Sequence, residues 1–110
     1  MHEILKHVRL EEFQYKAIIS AFTHSFLHDD KLWVFGSRVD MHKSGGDIDL
    51  YIETMATTAE DALKFENKFV HTIWEKIGDQ KIDVVLNMVA VPGNPLPIYD
   101  VAKNHGVRLL

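Results

Sequence analysis

The chain has 110 residues, 46% of them apolar and 25% charged, with only six glycines and three prolines. That length and balance suit one folded domain over residues 1–110 with a real core, and they exclude a disordered tail. A formal net charge of −4 leaves no broad cationic face for a nucleic-acid backbone, so direct nucleic-acid binding is not expected, whereas a small phosphate ligand bringing its own metal is compatible with it.

Cysteine is absent, which removes disulfides and thiolate metal sites and suits a cytoplasmic setting. Glu3, Lys6, Arg9, Glu11 and Glu12 interrupt the first 30 residues, so neither a signal peptide nor a membrane span is expected. From about Glu11 to Leu27, apolar residues recur as the rows Phe13, Ala17, Ala21 and Ile18, Phe22, Phe26. Such i, i+4 rows predict a helix with a wide apolar face. His28-Asp29-Asp30 ends it, and Lys31–Phe35 (KLWVF) reads as a short buried strand. A second strand is predicted over Asp47–Glu53. Thr57 or Thr58 then caps a helix whose apolar positions are Ala62, Phe65, Phe69, Ile73 and Ile77, widened by Val70 and Trp74. Gly78-Asp79 stops that helix, and Lys81–Leu86 (KIDVVL) is a third strand. Pro92, Pro95 and Pro97 mark a loop, Ile98–Asn104 a short helix, and Val107–Leu110 a closing strand. The order α-β-β-α-β-α-β predicts an α/β (α+β) sandwich, a mixed sheet flanked by helices.

Residues 34–53 read VFGSRVDMHKSGGDIDLYIE and raise a physical question. Strand residues two apart share a face, so Asp47 and Asp49 point together while Ile48 and Leu50 point opposite. In the third strand Asp83 likewise opposes Ile82, Val84 and Leu86. If the two strands are neighbours, three carboxylates converge, and such crowding calls for a cation. Hard oxygen donors in that number suit Mg²⁺ or Mn²⁺ completed by waters and phosphate oxygens. On alternation alone, a solvated outer strand face is the readier explanation of Asp47 and Asp49. Gly36-Ser37 adds a turn whose backbone N–H groups can approach a ligand closely, and Arg38 adds a fork suited to phosphate.

Phe35-Gly36-Ser37, nine intervening residues and Asp47-Ile48-Asp49-Leu50 together resemble the signature of the polymerase-β-like nucleotidyltransferase superfamily. Arg38, the short chain, Ile98-Tyr99-Asp100-Val101-Ala102 and Gly106-Val107 are similar to its minimal nucleotidyltransferase (MNT) branch. The resemblance covers nearly the whole chain and implies that fold. It further implies that Gly36, Ser37 and Arg38 hold the triphosphate of ATP. Asp47, Asp49 and Asp83 would bind two Mg²⁺, with Asp83 helping to activate the attacking hydroxyl. Transfer of AMP to a hydroxyl, such as a tyrosine of a HEPN-domain toxin, is the activity implied, with the chain as antitoxin. The other expectation is a module that neutralises its partner by binding alone. Val39-Asp40 and Gly45-Gly46 depart from the small and basic residues and the serine common in that branch; Lys43 is placed to offset Asp40. The larger relatives' helical domain has no counterpart here, so a partner or a homo-oligomer would complete the site.

Other features read as structural. His24 and His28 stand i, i+4 without a third ligand, near a helix end that favours a partly charged imidazole. His42 reads as a solvated loop residue, and Trp33 and Trp74 as core. The uncharged stretch Met88–Ile98 reads as a cover over the core, or else as a partner surface.

Overall fold

The apolar periods of the sequence resolve into three α-helices and four strands in the computed structural model, which describes residues 3–110. The first two residues of the expected domain therefore lie outside the described part. In chain order the elements are α1 (Glu12–Ser25), β1 (Lys31–Phe35), β2 (Ile48–Thr54), α2 (Ala59–Ile77), β3 (Ile82–Met88), α3 (Pro97–His105) and β4 (Val107–Arg108). Short 3₁₀ turns at Glu3–Lys6 and Gly36–Val39 were not predicted.

The sheet is mixed, in the order β3-β2-β1-β4. β1 pairs antiparallel with both β2 and β4, and β2 pairs parallel with β3. A parallel neighbour demands a crossover long enough to return the chain to the same end. α2 supplies it. Thr58 caps its N-terminus by accepting the Asp61 backbone N–H at 3.1 Å, and Gly78, at φ +82°, ends it.

Leu32, Val34, Ile48, Leu50 and Ile52 form one sheet face and pack with Ile18, Phe22, Phe26, Phe69 and Ile73 of α1 and α2. Phe69 meets Phe22 and Phe26 edge to face, at centroid distances of 5.9 and 5.7 Å. On the reverse face α3 brings Ala102 and Tyr99 over Trp33 and Tyr51. The sheet is thus covered on both sides, α1 and α2 against one and α3 against the other. Burial pushes the Tyr51 phenol up in pKa, and its hydroxyl donates to Glu53 Oε2 at 2.8 Å while accepting from Asn87 at 3.0 Å.

Asp30 is a buried carboxylate that sequence reasoning treated only as part of a helix stop. It accepts from Leu27 N–H, the Thr54 hydroxyl and Met55 N–H at 2.7–3.0 Å. Three donors offset its desolvation, and they tie the start of β1 to the end of β2.

Several expectations need correcting. Phe13 is 58% exposed, because α1 packs through Ile18 and Phe22 and its first turn overhangs solvent. Trp33 is core, but Trp74 is 45% exposed and donates its indole N–H to Gln80 O at 2.8 Å. Val89, Val91, Leu96 and Ile98 are exposed, so the Met88–Ile98 stretch does not lay its apolar side chains over the core. α1 ends at Ser25, which puts His28 beyond the helix and breaks its i, i+4 relation to His24. No helix among the described residues is long and apolar enough to cross a membrane.

Truncation at the α1–α2 seam tests the packing. Phe69→Ala is expected to lower unfolding stability by roughly 3–5 kcal/mol, measured by urea denaturation. Phe13→Ala is expected to change it by less than about 0.5 kcal/mol.

Candidate functional site

The site begins where β1 stops. Phe35 pairs with Asp49, so the next residue lies directly against that aspartate. A side chain is not tolerated there: Gly36 has φ +72°, and a Cβ on it would overlap Asp49 Oδ2. Glycine adopts that backbone without strain and lets the turn close on the carboxylate. Across the loop Gly46, at φ +92°, faces Ser37, whose Oγ would lie 2.9 Å from a Cβ at that position. Two glycines thus let the loop close, one against Asp49 and the other against the Ser37 hydroxyl.

The loop between β1 and β2 has no regular ladder to satisfy its carbonyls. Two arginines do so instead. Arg9 donates from Nε to Asp40 O at 2.8 Å, and from Nη2 to Ser37 O and Gly45 O at 2.8 and 3.0 Å. Arg38 donates to Arg9 O at 2.7 Å and to Gly46 O at 2.9 Å, while the Arg9 backbone N–H meets Arg38 O at 2.7 Å. Burial, then repulsion by Arg9, lowers the Arg38 pKa. Arg38 was predicted to face a phosphate; here it is only 8% exposed and its guanidinium serves backbone carbonyls, with Nε unpartnered. Sequence reasoning missed Arg9 altogether. Its partners lie about thirty residues away, and no local pattern marks such a contact.

The aspartates meet through the parallel pair. Asp49 of β2 stands in register with Asp83 of β3, followed by Leu50 with Val84 and Tyr51 with Val85. Both carboxylates lie on the α3 face, opposite Ile48, Leu50 and Ile82. Burial pushes the Asp49 carboxyl up in pKa, and the neighbouring carboxylates of Asp83 and Asp47 push it further. Asp47, one residue before β2, instead pairs with Lys81, Oδ2 to Nζ at 3.3 Å. The Lys81 ammonium is raised in pKa, first by Asp47 and then by Asp83.

The donor set suits a divalent hard cation. It offers carboxylate oxygens without sulfur or imidazole, at a point where like charges crowd and a glycine clears the approach. The rotamers do not gather them, since Asp47 is turned to Lys81. Among the described residues no group of three His, Asp or Glu side chains converges as a ligand set. Asp47 and Lys81 keep 45% and 69% of their side-chain surface, so both can re-aim by rotamer change alone.

The cavities lie elsewhere. One of about 730 Å³, lined by Phe22, Asp29, Lys31 and Arg108 among others, opens at the far end of β1. A second of about 500 Å³ lies under residues 89–95. A smaller groove is lined by Trp74, Asp79, Gln80 and Lys81. His24 bonds Ser20 O through Nδ1, and His42 is an exposed loop residue. Compared with known proteins, the chain matches no protein-family model and no curated sequence.

Charge crowding has a measurable cost. In chelator, Asp49→Asn is expected to stabilise the protein at neutral pH by roughly 0.2–1 kcal/mol, the cost of like charges opposed across strands. The sign follows from the raised pKa: the folded state holds the Asp49 proton more tightly than the unfolded state. Its contribution is full below the ordinary carboxylate value of 3.8 and is lost as pH rises through the elevated one. The melting difference between variant and wild type should therefore widen as pH rises above about 4 and level off once pH has passed the elevated Asp49 pKa. A difference independent of pH would contradict this. Gly36→Ala, forced to φ +72° against Asp49, is expected to destabilise by more than about 1 kcal/mol, read from the same melts.

Proposed function

We propose that this chain is a Mg²⁺-dependent nucleotidyltransferase of the minimal polymerase-β-like kind, moving AMP from ATP to a hydroxyl of a protein partner. One observation carries the reading: Asp49 and Asp83 stand in register on neighbouring parallel strands while Gly36 closes the β1 turn onto Asp49. Carboxylates in register on neighbouring strands and a glycine turn closed onto one of them have no structural need of one another. Their proximity fits a site for metal and triphosphate.

In this reading Asp47, Asp49 and Asp83 hold two Mg²⁺, which when bound supply polarisation of the attacking oxygen and charge neutralisation on the departing pyrophosphate. The Gly36–Ser37 backbone and the Ser37 hydroxyl hold the phosphates beyond the α position. Asp83, exposed at the outer strand, is placed to receive the proton of the incoming hydroxyl. That oxygen bonds to the α-phosphorus, the bond to the β-phosphate bridging oxygen breaks, and pyrophosphate leaves. Arg38 acts through the loop, its guanidinium holding Gly46 O and Arg9 O. A P-loop kinase reading is disfavoured by the lack of a Gly-rich loop ending in Lys-Ser or Lys-Thr.

The acceptor in this proposal is a tyrosine of a HEPN-type toxin, and the chain is its cytoplasmic antitoxin. The second reading, neutralisation by contact alone, draws on Arg38, which is buried with its guanidinium turned to the backbone carbonyls of Arg9 and Gly46. It also draws on the uncharged, exposed side chains of Val89, Val91, Leu96 and Ile98.

Incubation with ATP labelled at either the α or the γ position, Mg²⁺ and such a partner separates these readings. Label is expected on the partner only from the α position, with a mass increase of one or more AMP units. Asp47→Asn or Asp49→Asn should reduce transfer by at least about a hundredfold. Transfer of γ label would overturn the chemistry. Absence of any transfer alongside tight binding would favour the contact reading.

A further inference from the structure

Lys81 has no part in the chemistry above, yet it makes an ion pair with one of the three aspartates. Its backbone is anchored: Lys81 O accepts the Ile48 N–H at 3.1 Å, and the Gln80 side chain reaches both Lys81 O and Gly46 O at 3.3 and 3.4 Å. The position is thus locked to the start of β2, where Asp47 lies, while the ammonium itself stays largely in solvent. Nζ stands 3.3 Å from Asp47 Oδ2, and Lys81 immediately precedes β3, two residues before Asp83, so the cation and the second carboxylate enter the site from the same short stretch of chain.

We infer that Lys81 is a positioning residue, a tethered counter-cation that holds Asp47 in the metal-free protein and is displaced when a divalent cation binds. This rests on the metal-site reading of the aspartates. Three carboxylates at one strand end repel, and a resident monovalent charge lowers that repulsion without an ion from solution. A divalent cation outcompetes the ammonium, because twice the charge attracts all three carboxylates at once. Entry of the metal then costs the breaking of one solvent-exposed ion pair, a small barrier for a large rearrangement of charge. Lys81 thereby sets the cation concentration at which the site assembles.

Mn²⁺ binding, measured by electron paramagnetic resonance on the full chain without nucleotide, tests this directly. Wild type is expected to bind, and Asp49→Asn to lose most of that binding. Lys81→Met should bind Mn²⁺ roughly three- to tenfold tighter, the effect of removing one exposed competing charge near the ion. Lys81→Arg, which keeps the charge, should stay within about twofold of wild type. In chelator Lys81→Met should melt below wild type, and saturating Mn²⁺ should close or reverse that gap. A purely structural role would leave the deficit unchanged with metal. Should Lys81→Met fold poorly, Lys81→Gln gives the same comparison. Affinity in the Lys81 variants equal to or weaker than wild type, with Asp49→Asn still abolishing binding, overturns the counter-cation role alone. Failure of wild type to bind Mn²⁺ overturns the metal site and this inference with it.

Discussion

The parallel pairing of β2 with β3 is the constraint from which the rest follows. Its register sets Asp49 beside Asp83, and strand alternation then sends both to the α3 face while Ile48, Leu50 and Ile82 join the core side. A slip of one residue would exchange those faces, burying carboxylates among Phe69 and Ile73 and exposing the aliphatics. Core packing and carboxylate geometry are therefore enforced by one choice. The apolar side supplies the energy, and the polar side inherits the position.

Holding like charges together needs compensation, and the protein distributes it. Burial and its carboxylate neighbours favour the protonated form of Asp49, and Lys81 pairs with Asp47. The loop above them is held without regular structure by Arg9 and Arg38, which satisfy the carbonyls of Arg9, Ser37, Asp40, Gly45 and Gly46. Those bonds organise the turn, and Gly36 and Gly46 let it close. In the proposed activity this is pre-organisation: the backbone is set before any ligand arrives, and only exposed side chains must turn.

Much of this was legible along the chain because the signals are local. The row Ala62, Phe69, Ile73 identified the buried side of α2, and the run Leu32-Trp33-Val34 identified β1. Alternation around Asp49 and Asp83 foretold their shared face. Other features were hidden by distance. Trp33 and Trp74 are alike as residues, yet one lies beneath α3 and the other at the exposed rim of α2, where Gln80 O takes its indole hydrogen. Asp30 read as a helix stop because its Thr54 and Met55 donors come from the far end of another strand.

What the sequence by itself determined is what short-range periodicity and turn chemistry encode: the order of helices and strands, their inward faces, and the glycine turn followed by paired aspartates. Tertiary structure alone decided the sheet order β3-β2-β1-β4, the meeting of Asp49 with Asp83, the Arg9 clasp on the loop, and the pairing of Lys81 with Asp47. It also turned Arg38 inward to backbone carbonyls, away from the outward role its sequence position suggested. The reason is physical. Periodicity reports which side of an element avoids water, whereas an ion pair or a carbonyl contact depends on which distant backbone the fold brings within 3–4 Å.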